Sequence, residues 1–227
     1  MTGGKNNKLL PGEKLRREVL RKTAESEILV KLDFGPCYAE PKKGLQTPLP
    51  FLNHMLEHII WRGELNLEVK MQLQDFYLTH VICEDLGITL GKGIRECVES
   101  GLSDGVKGFG SAFSAIDEAL TQAVLSFESR AYLHLHHPEV TIPAQVEGMN
   151  SEDLKTFFEG FVQGAACTLH LNILKGENGH HIWEATFRAF GEALRSALEI
   201  RPWRKGMTAG VAGAIHWESN LKADNKE

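Results

Sequence analysis

The residue types best suited to chemistry are concentrated in Asn178-Gly179-His180-His181-Ile182-Trp183-Glu184. Asn178 and Gly179 read as a turn that opens a helix to about Leu198, because apolar residues then recur at three- and four-residue steps. On that helix His180 and Glu184 share a face, while His181 points roughly a quarter-turn away. Two imidazoles and a carboxylate aimed in two directions suit two metal sites better than one. The plainer alternative is a pair of solvated histidines at a helix start.

A second copy favours the metal reading. Thr79-His80-Val81-Ile82-Cys83-Glu84 places His80 and Glu84 each 100 positions before His180 and Glu184, and glycine recurs at Gly91 and Gly191. Each copy has an apolar helix upstream, Pro50 to Leu56 in the first and Asp153 to Phe158 in the second. After each comes a strand, Leu65 to Leu73 and Thr168 to Leu174. The order of strand or hairpin, helix, strand and His/Glu helix thus occurs twice, the mark of a duplicated α+β unit.

The elements that must position these residues follow in order. Residues 1–20 are polar and basic and read as a loose tail or poorly packed first segment. Glu27 to Phe34 reads as a strand, broken by Gly35-Pro36, and Pro48 and Pro50 lead into the helix with His54. Four glycines between Gly101 and Gly110 mark the joint between the repeats. The second half is expected to begin at Asp117-Glu118-Ala119-Leu120, with a strand pair through His134 and a loop over 137–150. The division expected is a basic segment over 1–20, a first α+β repeat over 21–100, the joint over 101–110, a second repeat over 111–200 and an irregular tail over 201–227.

Composition narrows the function. A chain of 227 residues, 42% hydrophobic, can bury a full core. A net charge of -5 and a pI near 6.1 leave no electrostatic footprint for nucleic acid. No apolar run is long enough for a membrane span, and no secretory signal is read at the N-terminus, so a cytoplasmic location without membrane or nucleic-acid partners is expected. Cys37, Cys83, Cys97 and Cys167 are scattered, as reduced thiols would be.

Over about residues 20–215 the chain resembles the imidazoleglycerol-phosphate dehydratase family, manganese enzymes of histidine biosynthesis. The resemblance is carried by Arg21-Lys22-Thr23-Ala24-Glu25-Ser26, Leu49 to Leu56, Glu84-Asp85-Leu86-Gly87-Ile88, Asp117 to Leu120, Ser129-Arg130-Ala131-Tyr132, and Thr168-Leu169-His170 leading to His180-His181-x-x-Glu184. It implies an α+β fold of two half-domains, each a four-stranded sheet backed by helices. It also implies trimers or higher homo-oligomers joined through intersubunit metal sites.

The ligands that the resemblance implies are His54, His80, Glu84, His180, His181 and Glu184, for a divalent transition metal: manganese first, with zinc or iron as alternatives. Val81 and Thr156 stand where two further ligands are expected, and neither replaces an imidazole. The survivors sort into His80, Glu84, His181 and His54, Glu184, His180. His58, one turn after His54, could replace a lost ligand, although an exposed helix histidine is the simpler reading. Arg130 matches the family's phosphate-binding arginine. Gly108 stands where a second arginine is expected, with Lys107 beside it as a substitute, and Gly210 and Ala212 stand for a serine and a lysine. Arg201, Arg204 and Lys205 are further substitutes.

Glu25 matches the substrate-side carboxylate and is the candidate acid and base. His170 reads as a core or sheet-face histidine. His134 and His136 share one strand face and, with His137, read as a solvated cluster. The implied activity is loss of water from an imidazole-bearing polyol phosphate, a small-molecule substrate. The thinner ligand sets keep two alternatives open: a paralogue with another metal-dependent activity, or a non-catalytic metal-binding assembly protein.

Overall fold

The computed structural model describes residues 16–74, 77–216 and 218. Two four-stranded sheets bracket four helices. Strands β1 (Arg16–Lys22) and β2 (Ser26–Asp33) form a hairpin, extended by β4 (Asn66–Leu73) and by the short β3 (Leu45–Gln46) in the order β1-β2-β4-β3. Strands β5 (Phe109–Ile116), β6 (Ala119–Ser126), β7 (Tyr132–His136) and β10 (Thr168–Lys175) form the second sheet in the order β5-β6-β10-β7. In each sheet the last strand pairs parallel and the others antiparallel. A small ladder of β8 (Gln145–Val146) and β9 (Met149–Asn150) interrupts the stretch expected as loop.

Helices α1 (Pro50–Gly63) and α2 (Thr79–Gly101) belong to the first half; α3 (Ser151–Ala165) and α4 (Gly179–Ala197) belong to the second. The helix α2 packs on β1 and β2, and α4 on β5 and β6, while α2 meets α3 and α1 meets α4 across the middle. One apolar core therefore runs through both halves, from Ile28 and Val30 to Phe187 and Phe190. No helix among the described residues is long and apolar enough to cross a membrane.

The duplication extends to detail. Helices α1 and α3 both end on a left-handed non-glycine cap, Glu64 at φ 50° and Ala166 at φ 47°, which are 166 − 64 = 102 positions apart. The starts of β4 and β10 are also 102 apart, whereas α2 and α4 start 100 apart. The two-residue difference lies in the shorter connection before α4. It also makes Thr156 the counterpart of His54.

Two sequence expectations are corrected. The segment expected to be loose through residue 20 contains β1, which pairs with β2 from Arg16↔Asp33 to Lys22↔Glu27; residues 1–15 of that segment lie outside the described residues. Its charges are cross-strand partners, with Lys31 Nζ 2.9 Å from Glu18 Oε2 and Lys22 Nζ 2.7 Å from Glu27 Oε2. The second half does not begin at Asp117 either. Strand β5 starts at Phe109, inside the expected joint, and Asp117-Glu118 is the two-residue turn of the β5–β6 hairpin, with Asp117 at φ 45°.

Helices α2 and α3 meet backbone to backbone. A Cβ on Gly164 would lie 2.0 Å from the Ile88 carbonyl oxygen, and one on Gly160 would lie 2.3 Å from that of Glu84. The four-residue spacing puts both glycines on one ridge, so this seam also fixes the height of the turn carrying Glu84. Gly164→Ala must push the helices apart. We expect it to lower unfolding free energy by about 3 kcal/mol, read as a fall in urea midpoint at unchanged slope.

Candidate metal centre

Helix α4 begins as its sequence dictates. The Asn178 side chain accepts a 2.8 Å hydrogen bond from the His180 backbone N–H, capping the first turn and leaving His180 and His181 there. Glu184, one turn on, is only 5% exposed and faces α1. Gly191 permits the approach of the two helices: its Cβ would lie 3.2 Å from the His58 carbonyl oxygen.

The result is a convergence of donors from both halves. His180 Nε2 lies 3.3 Å from Glu184 Oε2, and His54 Nε2 lies 3.7 Å from the same oxygen. Ligating atoms of His54, His180 and Glu184 all fall within 4.8 Å of one another, the one such set of three among the described residues. On the other carboxylate oxygen, Oε1, sits the guanidinium of Arg188.

His58 corrects the expectation of an exposed helix histidine. Its side chain is only 13% exposed, and its Nε2 lies 3.4 Å from Glu184 Oε1 yet has no hydrogen-bond partner. Burial, with His54 and Arg188 nearby, outweighs the pull of Glu184 and lowers its pKa to about 4, so the ring is neutral. A half-buried imidazole with a buried, unpaired nitrogen, two further imidazoles and a buried carboxylate form a donor set that fits a divalent transition cation.

Outer partners orient the rings. His180 Nδ1 donates to Glu147 Oε1 at 3.1 Å, which leaves Nε2 toward the centre. A ligating histidine commonly donates its second N–H to a carboxylate in this way. His181 is held similarly, with Nδ1 2.8 Å from Glu118 Oε2. Glu118 also accepts the Asn178 N–H at 2.8 Å and the Glu177 N–H at 3.2 Å, and these bonds, the one from Asn178 foremost, hold its pKa down to about 2. His181 rises in turn, chiefly through its bond to Glu118.

The donors of the first copy are not gathered in this way within one chain. His80 Nε2 is 3.9 Å from Glu84 Oε2 and its Nδ1 is 3.9 Å from Asp153 Oδ1, whereas His181 faces Glu118 and Asp117. Thr156 returns its hydroxyl to the Glu152 carbonyl at 3.0 Å.

Comparison with known proteins decides the family. A family model described as imidazoleglycerol-phosphate dehydratase matches residues 47–194. The chain is 38% identical over 200 residues to the imidazoleglycerol-phosphate dehydratase of Ralstonia pickettii, covering 88% of this chain and 98% of that one. It is 36% identical over 198 residues to the enzyme of the same name from Burkholderia multivorans, covering 87% and 98%.

The chain belongs to the imidazoleglycerol-phosphate dehydratase family.

Solved structures agree. The fold is similar to that of IGPD from Pyrococcus furiosus in complex with (S)-C348, with a TM-score of 0.69 at 29% identity over 86% of this chain and 99% of that one. The likeness to imidazoleglycerol-phosphate dehydratase from Staphylococcus aureus, with a TM-score of 0.67 at 24% identity over 82% and 100%, concerns the fold alone.

Against this family's expected site, Glu25 lies exposed in the β1–β2 turn. That hairpin is pinned to α2 through Asp85, whose Oδ2 takes the Ser26 hydroxyl and the Arg21 guanidinium at 2.6 Å each. Glu25 is thus presented beside the turn that carries Glu84. Arg130 is exposed on a cavity of about 500 Å³, lined also by Arg95, Ser129, Thr208 and Gly210. Lys107 is not there. Its Nζ donates to Ser196 Oγ at 2.8 Å and rests 5.0 Å over the Phe109 ring.

Sequence reasoning missed Arg95. It spans from Glu99 to the Phe127 carbonyl and the Ser129 hydroxyl, bonds of 2.7, 3.3 and 2.9 Å, and so fixes Ser129 in left-handed backbone at φ 63°. Its place on α2, 34 residues before Ser129, carries no local signal. His134 and His136 stack on the second sheet at 5.5 Å between ring centres and His170 tilts against His134 at 5.2 Å, while His137 turns its Nδ1 to the Val140 carbonyl.

Proposed function

We propose that this chain is a metal-dependent hydro-lyase that removes water from imidazole glycerol phosphate in histidine biosynthesis. The observation that carries the reading is the meeting of His54, His180 and Glu184 from two repeats, in a chain whose relatives bear that activity in their names. These residues would hold a divalent transition ion, manganese first and zinc or iron as alternatives, which supplies Lewis acidity toward an imidazole ring.

The chain's own groups do the remaining work. Glu25, exposed and anchored through Ser26 and Arg21, takes the proton from carbon and returns one to the departing hydroxyl. Arg130 receives the phosphate, because its guanidinium has no hydrogen-bond or ion-pair partner among the described residues and faces the cavity. His80 and Glu84 neighbour each other on α2 while His181 faces Glu118 and Asp117, so a second centre needs donors from another copy and the working form is a homo-oligomer.

One observation favours the second reading, a paralogue acting on another substrate. Gly108, at the place of an expected arginine, has φ 75°, and a Cβ there would lie 2.6 Å from the Ala209 side chain. That position is closed to a long side chain, so the phosphate grip is reduced.

Turnover of imidazole glycerol phosphate, followed as its keto product, tests the proposal. Activity is expected with manganese and is lost on chelation; a background rate with metal bound would overturn the dehydratase reading. Chelation is also expected to lower the mass measured by light scattering, and an assembly unchanged by chelator would contradict intersubunit metal.

A further inference from the structure

We propose that His58 is a direct fourth donor, so that one chain holds a cation between two facing helix pairs: His54 and His58 on α1, and His180 and Glu184 on α4. The inference rests on the metal reading above and extends it to a residue that reading leaves out.

Three observations carry it. The first is spacing. His54 and His58 are four apart, the separation by which one helix turns two imidazoles to a single ion. His180 and Glu184 repeat it on the facing helix, and the two pairs meet where α1 crosses α4.

The second is separation. Donors about 2.0 to 2.1 Å from one tetrahedral ion stand about 3.3 Å from each other. Here His180 Nε2 to Glu184 Oε2 is 3.3 Å, His58 Nε2 to Glu184 Oε1 is 3.4 Å, and His54 Nε2 to Glu184 Oε2 is 3.7 Å. The His54 and His58 ring centres are 4.7 Å apart, with planes at 68°. Each imidazole stands from a Glu184 oxygen at about the spacing of one coordination shell, and side-chain rotations must bring His58, which lies outside the 4.8 Å set of His54, His180 and Glu184, into it.

The third is the unpaired nitrogen. His58 Nε2 is buried and near a carboxylate but forms no hydrogen bond, although buried polar atoms are nearly always paired. Glu184 does not need that nitrogen, because Arg188 already holds the oxygen nearest to it. A ring nitrogen kept from solvent and from hydrogen-bond partners is free to serve as a ligand in the tautomer that leaves it unprotonated. Three imidazoles and one carboxylate select a borderline divalent ion such as zinc, cobalt or manganese over calcium or magnesium.

The test is a cobalt(II) titration of the full-length chain freed of metal, read by ligand-field absorption and calorimetry. The signal of this centre is the component that His180→Ala removes. His58→Ala is expected to weaken that component at least tenfold and to shift its band. His58→Gln, close in size and still able to hydrogen bond to Glu184, is expected to do the same, which keeps the test valid if the alanine variant fails to fold. A His58→Gln chain that titrates like the parent in affinity and spectrum overturns direct ligation. If His58→Gln leaves binding intact while His180→Ala abolishes it, the metal reading stands without His58. If neither variant alters cobalt binding, the metal reading itself falls.

Discussion

Glu184→Gln is expected to empty the centre and stop turnover while the fold survives. Among the converging side chains Glu184 is the one anion, and both of its oxygens are engaged: Oε2 toward His54 and His180, Oε1 with Arg188 and near His58. An amide keeps the shape and loses the charge. Imidazoles alone would then face a cation beside an unneutralised guanidinium, so metal content should fall to background at micromolar metal. Activity should drop by about 10³-fold, the scale of losing one preorganised electrostatic group. Stability suffers less. Arg188 is partly exposed and reaches the Ala115 carbonyl at 3.4 Å, so water and backbone take over its charge at a cost of about 1 to 2 kcal/mol. Metal analysis, initial rates and a urea melt on one preparation check all three. Full metal content with an unchanged rate would remove Glu184 from the centre.

How much of this was legible beforehand depended on how local the signal was. His180 and Glu184 share a helix face by spacing alone, and Asn178 is a strong cap, so the start of α4 could be read directly. The duplication was legible because two copies of one pattern support each other. The burial of His58 was not, since it depends on α4 pressing against α1 across Gly191, a contact between residues far apart in the chain. Strand β1 was misread because its charges looked like solvated chain. Glu18 and Lys22 are instead paired to Lys31 and Glu27 on β2, and only the register of the hairpin reveals it. The carboxylates that orient the imidazoles, Glu118 and Glu147, both lie in turns, where composition carries no sign of which ring they will meet.

The two repeats have diverged in a way that bears on catalysis. Between α1 and α4 the imidazoles and carboxylate gather inside one chain. Between α2 and α3, Val81 and Thr156 stand where the resemblance expects further ligands, and Asp153 stands 3.9 Å from His80 where no ligand was anticipated. Asp153 is buried and accepts from Asn150 Nδ2 at 3.1 Å, so its carboxylate is oriented rather than free. A chain that keeps one complete set and one partial set binds its first ion more tightly than its second, and titration should show two steps.

Arg130→Met should raise the KM for imidazole glycerol phosphate by about 10- to 100-fold and leave kcat nearly unchanged. A phosphate dianion held by a guanidinium fork gains about 1.5 to 3 kcal/mol, and that grip is the same in ground and transition states because the phosphate does not react. Lys107→Met separates this assignment from a general loss of positive charge. Its ammonium is committed to Ser196 and the Phe109 ring, so KM should not move. Arg95→Met should behave differently from both. Its guanidinium clamps Ser129 in left-handed backbone, and without it the strained residue relaxes and Arg130 loses its fixed approach to the cavity. KM should therefore rise and the urea midpoint fall together, whereas Arg130→Met, on an exposed side chain, should leave the midpoint in place. Equal KM increases for Lys107→Met and Arg130→Met would mean that long-range charge, and not this fork, holds the phosphate.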